Sequence, residues 1–377
     1  MRITGAVLEE IGRDGPYAET RPITISELEL DPPGPDEVLV RIETAGLCHS
    51  DLSVVDGNRP RPTPMLLGHE AAGIVEEVGS DEVDQGDTDL PIGRRVVMTF
   101  LPRCGECRSC RTDGLVPCEP GSLANNAGTM LTGGSRLRRD GQRVHHHLGV
   151  SGFATYAVVD RRSVVPVDDD VPPEVAAVLG CAVLTGGGAL LNVGRPRPGD
   201  TVAVVGLGGV GMAALLTALG EADVEVVAVD TMDDKRARAL ELGAHRALAP
   251  DEAVAEGVLA DVVIEAAGSA RAFETAVALT GPGGRTVTVG LPAPDARAAV
   301  SPLGLVAQGR SIIGSYLGSA VPRRDIPLFV DRWREGRLPV AELVSARIAL
   351  PEVNRAMDEL AAGRAVRQLV AFDGGDR

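Results

Sequence analysis

Along roughly the first 180 residues, apolar positions come in short β-branched runs broken by Gly and Pro: EVLVRIETAGL (37–47), AAGIVEEVG (71–79), RRVVMTF (94–100) and FATYAVV (153–159). Runs of this length bounded by turn residues predict a mainly antiparallel β domain with long loops. From about residue 200 the rhythm changes. TVAVVG (201–206), VEVVAVD (224–230), RALAP (246–250), DVVIEAAG (261–268), RTVTVGL (285–291) and SIIGSYL (311–317) read as buried strands, and alanine-rich helical stretches separate the first five. That alternation predicts a doubly wound parallel sheet. Past about 320, two helical segments (DIPLFVDRWREG and PEVNRAMDELAAG) and a final strand, RQLVAF, ending at Phe372, leave this rhythm and are expected to return to the first domain.

The length of 377 residues suits two domains. Aromatic residues are 2 % of the chain, so Val, Leu, Ile and Ala must build the cores. Lys+Arg 37 against Asp+Glu 53 leaves a net charge of −16 with no long basic run, which argues against nucleic acid and anionic membrane surfaces as partners. The opening MRITGAVLEE carries an acidic pair where a signal peptide needs an apolar core. The uncharged stretch Thr201 to Gly220 has the length of a membrane span, but its glycines favour strand, turn and helix. The expectation is a cytoplasmic protein without a membrane partner.

Gly206-Leu207-Gly208-Gly209-Val210-Gly211 matches G-x-G-x-x-G after an uncharged strand and before the apolar MAALLTALG helix. Such glycines permit a tight turn and a close backbone approach to a pyrophosphate, whose charge the helix start then binds. The next strand ends in Asp230, placed to accept hydrogen bonds from an adenosine ribose and to repel a 2′-phosphate. NAD is therefore favoured over NADP. Lys235 could also reach the ribose, or stand as a solvated helix cation.

Six cysteines divide into a cluster and a pair. Cys104, Cys107, Cys110 and Cys118 are spaced C-x2-C-x2-C-x7-C, which suits structural zinc. An iron–sulfur cluster and disulfides are the alternatives, but the ferredoxin run closes with x3. Cys48 in GLCHSD and Cys181 in LGCAVLTG, with His69 in LLGHEAAG, would leave zinc an open fourth position. Singly, each could be a core thiol or core histidine. Glu70 and Asp51 are candidates to orient His69 and the metal, or ordinary caps.

GLCHSD, GHEAAGIVEEVG, the four-cysteine lobe, HHLGVSGFATYAVV, GCAVLTG, GLGGVG, Asp230 and AVRQLVAF together resemble the zinc-containing medium-chain dehydrogenases, and among them the long-form animal and plant alcohol dehydrogenases. The resemblance runs along essentially the whole chain. It implies a GroES-like catalytic domain over 1–181, a Rossmann NAD-binding domain over 182–316, and a return to the catalytic domain over 317–377. It makes Cys48, His69 and Cys181 catalytic zinc ligands and the other four cysteines structural ones, two zinc ions per chain. Ser50 would accept the alcohol proton, Glu70 and Asp51 would back the metal, and His49 and Arg367 would contact the pyrophosphate. Thr185 and Val289 would adjoin the cofactor, and Phe100, Leu291 and Tyr316 would line the substrate pocket.

The implied reaction is hydride transfer between an uncharged primary, allylic or aryl alcohol and NAD, in a homodimer. This chain departs from the family in having Ser53 where many members complete the proton relay with histidine. Cys181 separates it from polyol dehydrogenases, which usually use glutamate there. CEPGSLANN lacks the arginine of glutathione-dependent formaldehyde dehydrogenases, although their His-Ser pair is present as His49-Ser50. A thiol-adduct formaldehyde dehydrogenase, with mycothiol or glutathione, is thus the second reading. A non-catalytic dinucleotide-binding protein is the third, and it should have lost a zinc ligand or Ser50. His145-His146-His147 looks like a third metal site, but its Arg- and Gly-rich loop favours a structural role, with His146 at the place of a family loop histidine.

Overall fold

The computed structural model describes residues 1–79 and 90–372. Two compact units divide the chain: Met1–Cys181 together with the stretch from Val344 onward, and Ala182–Leu343.

In the first unit, described strands form two sheets. One has six strands in the spatial order Gln142–Arg143, Leu137–Arg139, Ile23–Leu30, Arg2–Leu8, Met65–Leu66 and His145–His146. The other has seven. Val164–Pro166, Arg95–Met98, Ala71–Val78, Glu37–Leu47, Gln368–Ala371 and Ala346–Ile348 follow in line, and Tyr156–Asp160 also pairs with Glu37–Leu47. Most pairings are antiparallel, as the short β-branched runs require. Val38, Val40, Ile42, Val75, Val96 and Phe153 fill the core between these elements. The C-terminal strand pairs in a register that sets Gln368 opposite Leu47, so Arg367 arrives beside the turn that carries Cys48.

The second unit is a six-stranded parallel sheet in the order Arg246–Leu248, Glu225–Val229, Thr201–Val205, Ala260–Glu265, Thr280–Thr288 and Ser311–Gly314. The order reverses between Thr201–Val205 and Ala260–Glu265, the place where doubly wound sheets open a ligand crevice beyond their carboxyl ends. The stretch 201–220 is strand, turn and helix, with the helix at Gly209–Leu219.

One expectation needs correction. Residues 317–343 belong with this second unit, not with the first. Their helix, Pro322–Arg334, buries Ile326, Phe329 and Val330. Phe329 packs so closely on Gly187 that a Cβ there would overlap its ring. An apolar stripe announces that a helix packs, not which partner it packs on. Among the described residues one helical stretch, Pro173–Gly194, is long and apolar enough to cross a membrane, and 89 % of its apolar window is buried within the protein, as in a core helix.

Candidate active site and metal centres

Cys48 ends the strand Glu37–Leu47 and caps the helix His49–Val55. Asp51, three residues on, turns back so that its Oδ2 accepts the Cys48 backbone N–H at 3.0 Å. Its Oδ1 meets His69 Nδ1 at 2.9 Å, with both side chains wholly buried. That bond leaves His69 Nε2 as a buried nitrogen with no hydrogen-bond partner. Cys181 sits in a π-helical turn, Leu179–Val183, a local irregularity common at functional sites.

The Cys48 and Cys181 sulfurs and a His69 ring nitrogen lie within 4.8 Å of one another. Two soft sulfurs and an orphaned imidazole nitrogen, all buried, fit a zinc ion with one position left open. The electrostatics agree. A hydrogen bond from Cys181 holds the Cys48 thiol well below its ordinary pKa, and the same bond, with burial, drives Cys181 up. Burial opposes charge on His69, but Asp51 and Cys48 more than offset it and raise that pKa. The pocket therefore favours a thiolate on Cys48 and a proton on His69.

Behind these groups, Glu70 is fully buried, with Oε1 3.3 Å from Arg367 Nε. Arg367 Nη1 donates to the Leu47 carbonyl at 2.8 Å. At 2 % exposure its guanidinium is engaged inside the metal pocket, an arrangement the sequence reading did not foresee. Space for Glu70 depends on Gly46, because a Cβ at that position would overlap the Glu70 carboxylate. Gly46→Ala should cost about 1–3 kcal/mol by overpacking and break the Glu70–Arg367 pair. Thermal melting and alcohol turnover both read this out, and a variant with wild-type values for both would remove Gly46 from the site.

Ser50 is half-buried, with Oγ 4.0 Å from Cys48 Sγ. His49 is exposed, and its carbonyl accepts from Ser53 Oγ at 2.7 Å. Phe100 stands edge-on to His69 at 5.5 Å between ring centroids, and its carbonyl is held by Asn125 Nδ2 at 2.7 Å. An apolar ring thus borders the metal ligands.

The histidine run separates by role. His146 is buried with both ring nitrogens unpartnered, and burial pushes its pKa down to about 4, so it is a neutral core imidazole. His147 instead faces Asp51, its Nδ1 3.1 Å from Oδ1 with the N–H off line. Burial lowers its pKa as well.

In the lobe, the Cys104, Cys107, Cys110 and Cys118 sulfurs lie within 4.8 Å of one another. Backbone N–H groups point at them: Cys104 to Cys118 Sγ at 3.3 Å, Cys107 to Cys104 Sγ at 3.4 Å, and Cys110 to Cys107 Sγ at 3.4 Å. Donors aimed at sulfur favour thiolates. The Cys110 N–H brings Cys107 down to about 6, whereas burial pushes Cys110 up to about 12. A four-sulfur shell with this donor set fits tetrahedral zinc.

In the second unit, Gly206 has φ 91°, and a Cβ there would strike Ala267, so the turn requires glycine. Gly208 precedes the helix, and nothing lies within 4 Å of where its Cβ would be, which leaves open space at the helix start. Gly209, Val210 and Gly211 form the first helical turn. Asp230 Oδ2 accepts the Leu207 N–H at 2.6 Å and Oδ1 the Met232 N–H at 2.9 Å, which fixes the carboxylate beside that turn. It lines a cavity of about 350 Å³ with Gly206, Thr231, Pro250, Ala267 and Arg271, at the carboxyl ends of the strands. This space and open helix start fit a dinucleotide.

Lys235 is half-buried on the helix Asp233–Glu241 and does not line the cavity. Thr185 is buried in the helix Leu184–Gly188. The Val289 N–H donates to the Glu265 carbonyl at 2.9 Å. Leu291 and Tyr316 are 46 % and 36 % exposed on this unit.

Residues 34–169 match the family "Alcohol dehydrogenase GroES-like domain" and residues 209–334 the family "Zinc-binding dehydrogenase". The NDMA-dependent alcohol dehydrogenase of Amycolatopsis methanolica is 35 % identical over 380 residues, covering 98 % of this chain and 99 % of that one. Two solved structures are similar throughout. An alcohol dehydrogenase zinc-binding domain protein from Burkholderia ambifaria has a TM-score of 0.89 at 32 % identity, covering 99 % of each chain. Benzyl alcohol dehydrogenase from Acinetobacter calcoaceticus has a TM-score of 0.88 at 30 % identity, covering 99 % of this chain and all of that one. The chain belongs to the zinc-containing medium-chain dehydrogenase family and is an alcohol dehydrogenase of that type.

Proposed function

We propose that this enzyme is a zinc- and NAD-dependent dehydrogenase of uncharged primary, allylic or aryl alcohols, working reversibly. The observation that carries the reading is the orphaned His69 Nε2 facing two buried sulfurs, beside the apolar ring of Phe100. The aryl part is supported by likeness to the Acinetobacter calcoaceticus benzyl alcohol dehydrogenase.

Cys48, His69 and Cys181 would hold the catalytic zinc, and Cys104, Cys107, Cys110 and Cys118 the structural one. When bound, zinc supplies Lewis-acid polarisation of the alcohol oxygen and NAD supplies the hydride acceptor. Asp51 keeps the His69 proton on Nδ1 and its Nε2 free. Ser50 Oγ takes the alcohol proton. Ser53 Oγ donates to the His49 carbonyl, so this side chain does not take the place of the family's relay histidine. Asp230 binds the adenosine ribose.

Asp230→Gly should shift the NAD/NADP preference towards NADP by about tenfold or more, since a like charge against the 2′-phosphate costs several kcal/mol. Steady-state kinetics with both cofactors measure it, and an unchanged ratio would remove Asp230 from ribose recognition.

We also propose a cytoplasmic homodimer. All six cysteines are free of disulfides, which suits a reducing compartment. The sheet-edge strand Ser311–Gly314 and the nearby helix Pro302–Gln308, with Leu303 75 % and Val306 82 % exposed, offer an apolar face.

The first assay follows NADH formation from benzyl and short primary alcohols without thiol, beside formaldehyde with low-molecular-weight thiols and alcohol with NDMA. NADH from a plain alcohol is the expected result. Activity confined to the thiol adduct would replace the alcohol as substrate. Dependence on NDMA, which the Amycolatopsis methanolica relative favours as a second reading, would mean free NAD is not the turnover acceptor.

A further inference from the structure

We propose that His147 is a positioning residue of the catalytic metal centre, acting through Asp51 to fix the ring of His69. The inference rests on the zinc reading of Cys48, His69 and Cys181. Asp51 is wholly buried and each of its oxygens is committed. Oδ2 accepts the Cys48 N–H, and Oδ1 stands between two imidazole Nδ1 atoms, His69 at 2.9 Å and His147 at 3.1 Å. One carboxylate thus ties together the backbone of one ligand, the ring of another, and a third side chain. His69 is also bracketed in space. Phe100 and His147 approach it edge-on, both at 5.5 Å, with interplanar angles of 81° and 77°.

The loop holds His147 at some conformational cost. Leu148 and Ser151, neither of them glycine, have φ 51° and 54°. Left-handed backbone at such residues is unfavourable and persists where surrounding contacts enforce it. Here the His147 N–H donates to Ser151 Oγ at 3.0 Å, Ser151 Oγ donates to the Leu66 carbonyl at 2.9 Å, and the His147 carbonyl accepts from Val150 and Ser151. Leu66 lies three residues before His69. The strained turn is therefore fastened to the segment that carries the metal ligand.

Asp51, His69 and His147 also bring potential ligand atoms within 4.8 Å, so a second metal position has to be weighed. Tetrahedral zinc ligands roughly 2.0–2.2 Å from the ion stand roughly 3.3–3.6 Å apart. The 2.9 Å between Asp51 Oδ1 and His69 Nδ1 is shorter and has the length of a hydrogen bond. A metal bound there would also take His69 from the two sulfurs. The positioning role prevails.

The test follows release of zinc from the purified enzyme to a coloured chelator, together with total zinc content. Wild type should carry two zinc ions per chain. Asn places an amide donor where His147 Nδ1 stands, Gln places it where Nε2 stands, and Phe keeps the ring without a donor. Loss of such a supporting partner typically weakens metal binding 10–100-fold. His147→Phe and His147→Gln should therefore release one zinc roughly ten- to a hundredfold faster, and His147→Asn within about threefold of wild type. The slow zinc of the four-cysteine lobe should be unchanged. If His147→Phe does not fold, as judged by melting, the Asn–Gln comparison carries the result. Equal release from Asn and Gln, or wild-type release from all variants, would overturn the role of His147 while leaving the zinc centre standing. A wild type holding only one zinc would instead overturn the centre itself, and this inference with it.

Discussion

Cys181→Ala should abolish alcohol oxidation and leave NAD binding nearly intact. Two thiolates and one imidazole are the least that closes three sides of a tetrahedral zinc, and alanine removes one of them. The residual pair, Cys48 and His69, would bind the ion weakly at neutral pH, where ligand deprotonation must be driven by the metal itself. Lewis-acid polarisation contributes several kcal/mol to the transition state, so its loss is worth about a thousandfold or more in rate. Cys181 is in the first unit, whereas the glycine turn, Asp230 and their cavity are in the second. Nucleotide affinity, measured by fluorescence titration of NADH, should therefore stay within about threefold. Turnover retained by the variant would sink the assignment of the catalytic zinc. Lost turnover with lost NADH binding would point to misfolding, which melting separates.

The second large effect is on stability. Cys107→Ser should release the structural zinc and open the lobe around residues 104–118. Its only regular element is the single 3₁₀ turn Cys110–Thr112, and Leu115 and Val116 are exposed, so the lobe has little core to hold it. In small metal-held modules binding energy is folding energy, on the order of 10 kcal/mol for isolated zinc fingers, and a lobe grafted on a large domain should lose several of these. Limited proteolysis should then cut the lobe at its arginines, Arg103, Arg108 and Arg111, and zinc content should fall from two to one per chain. An enzyme that keeps both zinc ions and resists the protease would show that the lobe is not metal-held. Because the chain has two units, one melting midpoint need not report this local opening.

Much of the fold was legible because its signals are local. The parallel sheet announced itself through strand–helix alternation, and all six of its predicted strands are present, with ends that differ by a few residues. Thr280–Thr288, for example, begins before RTVTVGL and runs through Gly281-Pro282-Gly283-Gly284, which reads locally as a turn. The strands Arg2–Leu8 and Ile23–Leu30 were not anticipated. They pair residue for residue, and ITISELEL carries the alternation of a half-buried strand, a local signal outside the four runs singled out above. DIPLFVDRWREG reads as a helix, but its apolar face carries no address, and Pro322–Arg334 packs in the second unit.

The sequence by itself determined the chemistry that is written in short spacings. Four cysteines within one loop can reach a single tetrahedral centre at little loop-closure cost, and the glycine fingerprint fixes its own turn before any partner arrives. It also supplied the residue types of the catalytic centre. Only the tertiary structure decided which distant groups meet there. The register of the last strand against Glu37–Leu47 delivers Arg367 to Glu70. The missing side chain of Gly46 leaves room for that carboxylate, and a strained turn brings His147 to Asp51. Such meetings depend on strand pairing and close packing over the whole unit, where each contact is fixed by many others at once. Residue spacing along the chain encodes none of them.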